Sequence, residues 1–266
     1  MRVIIAMLRA TWRAAASYRL ATVFSLLGLA FTVVPLYFVA GALQGTMAGS
    51  IQDEGGQYFA FILAGLMATT IITEAVSTIP GNVGSAAASG TLDSLFLTPT
   101  PAVVLFAGLS AYGFLWTLLR TALLLIGGAA LGAPIVWTSV PQALLVLALL
   151  TLAYLPFGLL MTASQIAFRT SGPFMSGLLL ISTLLGGVYY PVSVIPSWLR
   201  SLAGFVPLSY GLRAFRKLLL EGVPLASVWS DLAMLSLFAV GLGAIGVAAI
   251  AMAFRYARHT GGLSQY

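Results

Sequence analysis

The chain has 266 residues, of which 60% are hydrophobic and only 7% charged; it carries a formal net charge of +6 and no cysteine. A soluble domain has roughly 25% charged residues, so this composition describes an integral membrane protein; at ~20 apolar residues per span, the length allows about six helices and no large soluble domain. Disulfides and thiol chemistry are excluded, and the basic residues, eleven Arg and one Lys, are scattered at span ends rather than clustered among aromatics, which reads as membrane orientation and not as nucleic-acid binding.

Residues 1–19 are basic and amphipathic. Arg2, Arg9 and Arg13 share a face at i, i+7, i+11, while Ile4, Ile5, Met7, Leu8 and Trp12 supply apolar area. The pattern suits either a helix lying in the inner interface, with arginines near lipid phosphates, or a plain topogenic flank. A cleavable signal peptide is not expected: four arginines precede a long apolar run, and no small-residue cleavage site follows.

Span 1 is expected over residues 20–43. The loop 44–57 is polar, with Asp53 and Glu54 and no basic residue. Span 2 follows over 58–79. Residues 80–101 cannot sit in a bilayer as one helix, because Pro80, Pro99 and Pro101 bound them and Gly81, Gly84 and Gly90 interrupt them. Within them, residues 91–98 read as a short amphipathic helix. Leu92, Leu95 and Phe96 fall on one side, and Thr91, Ser94 and Thr98 on the other, with Asp93 in the first turn where a negative charge suits the helix dipole. Such a segment is either a membrane-surface helix offering a face to a soluble partner or an ordinary capped loop.

Span 3 is expected over 103–131, span 4 over 141–168, span 5 over 173–190 and span 6 over 229–254. With both termini in the cytoplasm, the inner side holds Arg2, Arg9, Arg13, Arg19, Arg169, Arg255 and Arg258, and the outer side holds Arg200, Arg213, Arg216 and Lys217. This basic-residue bias places 80–101 in the cytoplasm and 191–227 outside.

Residues 191–227 are not a plain loop. Pro196 is expected to start a helix through Trp198, Leu199 and Leu202, which Pro207 stops. A second helix is expected over 208–220 with Gly222 as its C-cap; Leu212, Phe215 and Leu219 form one face, and Arg213, Arg216, Lys217 and Leu220 lie around the other. Two short, half-apolar helices bounded by prolines form either a re-entrant hairpin or a pair lying flat on the outer surface. Tyr189, Tyr190, Trp198 and Tyr210 fit an interfacial aromatic belt.

Two ionisable residues fall inside spans, Glu74 in span 2 and Arg120 in span 3. Counted from the outer ends they differ in depth by about 6 Å at 1.5 Å per residue, which suggests an ion pair, either structural or coupled to transport. Gly241, Gly243 and Gly246 spell G-x-G-x-x-G, but inside an apolar span they read as close helix packing, as do Gly128 and Gly132. The sequence contains no G-x-x-x-x-G-K-[ST], so it carries no P-loop ATPase. No G-x-S-x-G occurs, and the one histidine is His259 in the tail, so neither a serine hydrolase nor a metal site of the usual kind is expected.

Two segments carry a family resemblance. Gly90-Thr91-Leu92-Asp93-Ser94-Leu95-Phe96-Leu97-Thr98-Pro99 is similar to the G-T-[LIV]-[ED]-x-L-x-x-[TS]-P segment of type 2 ABC exporter permeases, which follows span 2 in that family. Gly187-Val188-Tyr189-Tyr190-Pro191, then Ile195-Pro196-Ser197-Trp198-Leu199, then Val206-Pro207-Leu208-Ser209-Tyr210 with Arg213 and Gly222, resembles that family's region between spans 5 and 6. The resemblance implies an all-α permease of six spans, a dimer that binds two copies of a separate ATPase subunit, with ATP and Mg held by that partner and no cofactor or metal by this chain. It implies that Gly90, Thr91, Leu92, Asp93, Leu95, Phe96 and Pro99 belong to a coupling helix docking into the ATPase. It further implies that the region of Tyr189, Tyr190, Pro191, Pro196, Pro207, Tyr210 and Arg213 forms re-entrant helices closing the outer end, and that 1–19 is an interface helix. The sequence departs from the family at 86–89, where Ala-Ala-Ala-Ser replaces the usual charged pair, so docking is expected to lean on Leu92, Leu95 and Phe96 and on hydroxyl contacts.

The expectation is therefore a single permease domain over 1–266 in the prokaryotic plasma membrane, exporting an amphipathic drug or lipid; polysaccharide export is less favoured. Membrane lipids are expected partners and nucleic acid is not. The alternatives are an ion- or proton-coupled carrier using Glu74 and Arg120, and a membrane assembly factor that transports nothing.

Overall fold

The computed structural model of the chain describes residues 7, 9, 12–13, 19–90, 102–168 and 172–259. Among these, every regular element is a helix. Five helices are long and apolar enough to cross a membrane: α1 (Arg19–Met47), α2 (Tyr58–Ala88), α3 (Ala102–Ala130), α4 (Val140–Phe168) and α8 (Trp229–His259). Between α4 and α8 lie α5 (Gly172–Leu185), α6 (Ser197–Ala203) and α7 (Pro207–Arg216).

Tight turns join the long helices at one end of the bundle. Gln44, near the end of α1, accepts from the Tyr58 backbone N–H at 2.7 Å and donates to the Gly56 carbonyl at 2.8 Å. That side chain thus satisfies one of the N–H groups left orphaned at the start of α2. Gly55 and Gly56 supply the left-handed backbone of this reversal. At the α3–α4 turn, Gly132 has φ +90° and its carbonyl accepts from the Gln57 side chain at 3.2 Å. This glycine serves a turn; a Cβ there would meet open space, so the packing role expected for it does not hold.

α2 is the centre of the molecule. Of its most apolar stretch, 72% is buried inside the chain, against 11% for α1 and for α8, whose faces are left for lipid or another chain. Phe61, Met67 and Ile72 of α2 pack with Leu150 and Tyr154 of α4 and with Leu212 and Phe215 of α7, all essentially inaccessible. Toward the other end, Val83 and Ala86 of α2 meet Leu155, Leu159 and Ile166 of α4.

Three boundaries differ from expectation. α2 does not stop before Pro80: it continues through it to Ala88, giving 31 residues and a length of about 46 Å at 1.5 Å per residue. Pro80 removes the helical donor to the Val76 carbonyl. At that point Gly158 of α4 comes so close that a Cβ would lie 2.6 Å from the Ala75 oxygen and 3.3 Å from that of Val76. The helix continues past the interruption where it packs closely against α4. The opposite holds for the fifth apolar segment. α5 has only 14 residues, about 21 Å against a hydrocarbon core of about 30 Å. It ends at Gly186 and Gly187, the latter at φ +76°. Finally, Pro207 does not stop the first short helix; it occupies the first turn of the second, where its missing N–H costs nothing.

Of the two glycine patterns read as packing sites, Gly128 abuts Leu63 and Gly246 approaches α4, 3.1 Å from the Pro156 carbonyl when given a Cβ. Gly241 and Gly243 meet nothing within 4 Å. Only part of the G-x-G-x-x-G run is a helix contact. The amphipathic segment 1–19 lies mostly outside the described residues; Trp12 sets its ring edge-on to Tyr112 of α3 at 6.3 Å.

Candidate functional site

At the end of the bundle that holds the 44–57 turn, residues 186–228 fold back as a helical cap. Pro191 leads into a short 3-10 turn at Val192–Val194 and Pro196 caps the start of α6. Pro191 is buried while Tyr189 is half exposed. The Tyr58 hydroxyl donates to the Tyr189 carbonyl at 2.9 Å, and the Tyr190 hydroxyl donates to the Leu184 carbonyl at 2.9 Å. Tyr210 donates to the Gly204 carbonyl at 3.1 Å, closing α6 onto α7. α7 runs into a π-helical turn at Lys217–Glu221, and Gly222 terminates it in the left-handed conformation, as its residue type requires.

The cap is fastened by Arg216, which is 2% exposed. Its guanidinium donates to Glu54 Oε2 at 2.8 Å, to the Phe61 carbonyl at 3.1 and 3.3 Å, to the Gly187 carbonyl at 2.9 Å and to the Val188 carbonyl at 3.2 Å. Its Cζ lies 3.4 Å from the centre of the Phe61 ring. Burial pulls its pKa down from the ordinary arginine value to about 10, and Glu54 opposes that fall, so the group is charged at neutral pH. One planar fork thus joins the turn after α1, the body of α2, the end of α5 and α7, a geometry a lysine could not reproduce. Gly65 makes the junction possible: a Cβ there would sit 2.7 Å from the Val188 oxygen.

Arg213, one turn earlier, has a different partner. Its Nε is 3.1 Å from both Asp231 carboxylate oxygens, Nη2 donates to Oδ1, and its Cζ lies 5.4 Å from the Tyr210 ring. The hydrogen bond it donates to the Asp231 carboxylate holds its pKa above the ordinary arginine value. Arg200 of α6 donates to the Ser193 and Ile195 carbonyls. Arg200, Arg213, Ser209, Tyr210 and Glu54 help to line a cavity of about 390 Å³ beneath the cap.

The two intramembrane charges are not brought together. Glu74 accepts from the Thr78 hydroxyl of its own helix and faces Gly113 of α3. Arg120 donates to the Ser25 hydroxyl of α1 and lies 5.6 Å from the Trp116 ring. The expected Glu74–Arg120 pair is therefore overturned: facing spans can share a depth and still point their side chains at different neighbours. Gly90 ends the described part of the α2–α3 connection with φ +67°. Thr91, Leu92, Asp93, Leu95, Phe96 and Pro99 lie outside the described residues. Among the described residues, no three His, Cys, Asp or Glu side chains group as a metal site would need.

Sequence reading singles out Arg213, sets Arg216 on the face opposite Leu212, Phe215 and Leu219, gives Glu54 no role beyond a polar loop and passes over Asp231. The signal for Arg216 is nevertheless present. At 100° per residue, Leu212, Phe215, Arg216 and Leu219 form one stripe at i, i+3, i+4, i+7, so Arg216 belongs to the apolar face and not to its opposite. A charge inside an apolar stripe needs a buried partner, and Glu54 is on the matching loop. Asp231 sits in the first turn of α8, where the helix dipole favours it.

The family model described as "ABC-2 type transporter" matches residues 2–220. Among curated proteins, Nodulation protein J of Rhizobium leguminosarum bv. trifolii is 28% identical over 225 residues, covering 84% of each chain. The inner membrane transport permease YadH of Escherichia coli K12 is 28% identical over 204 residues, covering 74% of this chain and 77% of its own. The matched stretch runs from the N-terminal segment through α1–α5 and the cap helices α6 and α7, ending before α8, and the chain belongs to the ABC-2 type transporter family.

Proposed function

We propose that this chain is the permease subunit of an ATP-driven exporter in the inner membrane, working as a dimer with a separate ATPase subunit. The observation that carries the reading is the family match over residues 2–220 in a chain with membrane-spanning helices and no P-loop of its own. Its most apolar, weakly charged spans favour an amphipathic drug or lipid as cargo. In this reading both termini are cytoplasmic, α5 is the short fifth of six crossings, and the cap formed by α6 and α7 is a re-entrant hairpin at the outer end.

The same reading gives α2 a mechanical role. Its Ala88 end leads into residues 90–99, proposed to dock on the ATPase, and its other end is held to the cap through Arg216 and the Phe61 carbonyl. A continuous helix of about 46 Å transmits displacement along its axis. Closure of the ATPase dimer on ATP therefore moves the cap through α2, with no chemistry in this chain. An ion-coupled carrier built on Glu74 and Arg120 gains no support, since the two have separate partners.

The test is co-purification with an ABC ATPase subunit of the same organism, followed by ATP hydrolysis with and without amphipathic cargo. Stable association and stimulated hydrolysis are expected. Transport that proceeds without any ATPase would sink the reading.

A further inference from the structure

A groove of about 420 Å³ opens between α1 and α3, lined by apolar residues alone, among them Leu26, Leu29 and Val33 of α1, Leu124 and Gly127 of α3, and Leu131 in the turn after it. On α3, Arg120, Leu124 and Gly127 succeed one another at i, i+4, i+7, a single stripe about 10 Å long that leads to Leu131 in the following turn. On α1, Ser25 stands one turn before Leu29, at i, i+4. Arg120 and Ser25 do not line the groove themselves; their contact stands one turn before Leu124 and Leu29, next to the end of the groove away from the cap.

Arg120 is poorly compensated for a charge at this place. It has the Ser25 hydroxyl and the face of Trp116, while its Nε is buried without a hydrogen-bond partner among the described residues. The nearest acid in the sequence pattern, Glu74, is engaged elsewhere. A guanidinium has five N–H donors in a planar fork that matches a carboxylate or phosphate, and an unpaired cation within the membrane is expensive. The volume lies within the ordinary range for ligand sites.

We propose that this groove binds a membrane-resident anionic amphiphile, one acyl chain lying between α1 and α3 and its carboxylate or phosphate head on Arg120. An apolar helix of a second copy would fill the groove but leave the cation uncompensated. Arg120 lies about 15 Å from the cap end of α3, near half of a ~30 Å hydrocarbon core. A head held there is away from both membrane surfaces, which suits a molecule in passage. The inference rests on the reading of the cargo as amphipathic and narrows it to the anionic class.

The experiment uses the full-length permease in phosphatidylcholine nanodiscs, without ATPase, and doxyl-labelled stearic acid with its methyl ester as uncharged control, both read by electron paramagnetic resonance at a pH where the acid is ionised. The acid should bind about tenfold tighter than the ester, the usual scale of a charge-assisted contact. Arg120→Gln should remove that tenfold difference and Arg120→Lys should restore most of it. Gly127→Leu fills the groove from a position where a Cβ meets open space and should weaken both probes. Equal binding of acid and ester, or no effect of Arg120→Gln or of Gly127→Leu, would overturn the site. Such a failure leaves the permease reading intact, because that reading is tested by ATPase association; loss of association with acid binding retained would do the reverse.

Discussion

Arg216 and Glu54 are 162 residues apart in the chain and meet at 2.8 Å beneath the cap. Their contact ties the turn after α1 to α7, and the other donors of the same guanidinium reach α2 and the end of α5. Removing one member of such a buried pair leaves an uncompensated charge, at a cost of about 3–5 kcal/mol. Arg216→Ala is expected to lower the thermal unfolding temperature of the detergent-purified protein clearly. Arg216→Lys should fall between, because an ammonium cannot span all the acceptors. The double variant Arg216→Met with Glu54→Gln should be more stable than Arg216→Ala; purely additive losses would show that the pair is not coupled.

Arg213 and Asp231 form an asymmetric pair. The arginine side chain is 51% exposed and the aspartate 5%. Arg213→Ala strands a buried carboxylate and is expected to cost about 1–3 kcal/mol. Asp231→Asn keeps the shape and leaves a cation that can reach water, so its cost should be smaller. The order of the two unfolding midpoints is the readout, and the reverse order would contradict the burial assigned to Asp231.

Glycines in the spans divide by what surrounds them. Gly65→Ala and Gly158→Ala drive a methyl to 2.7 and 2.6 Å from backbone oxygens that cannot move aside cheaply, and overpacking of this kind costs about 1–3 kcal/mol. Gly241→Ala and Gly243→Ala meet open space and should be neutral or stabilising by up to about 1 kcal/mol through helix propensity. Expression level and unfolding midpoint of the four single variants would settle the matter; equal losses at all four would contradict the packing described.

For the connection between α2 and α3, Leu95→Asp or Phe96→Asp is expected to leave the protein in the membrane while separating ATP hydrolysis by the partner from transport. Transport unchanged in both variants would remove the coupling role from this segment.

The membrane class, the long helices and the two short helices near residues 197 and 208 were legible from residue order, because each depends on local chemistry: runs of apolar residues, prolines that set a helix start, and Gly222 at a left-handed cap. The segment match between Gly90 and Pro99 likewise pointed to the family to which the chain belongs. Boundaries were less legible where packing outweighs propensity. Pro80 reads as a stop, yet α2 passes it where α4 packs closely against it through Gly158. The segment after Pro173 reads as a full span, yet two glycines end it at Leu185.

Charge partners were the part that residue order left open. Depth along a helix can be counted, so Glu74 and Arg120 were placed at similar levels; the rotation of each helix about its axis cannot, and it turned Glu74 to Thr78 and Arg120 to Ser25. Arg216 shows the converse. Its membership of an apolar stripe was written in the spacing of Leu212, Phe215 and Leu219, but that the stripe would be buried against Phe61 and Glu54, rather than laid on a membrane surface, was decided by the folding of the cap onto α2. Composition and period determined that this is a helical membrane protein; the choice of partner for each buried charge was made by long-range packing, because a guanidinium in a low-dielectric interior must take whatever acceptors the neighbouring helices bring within reach.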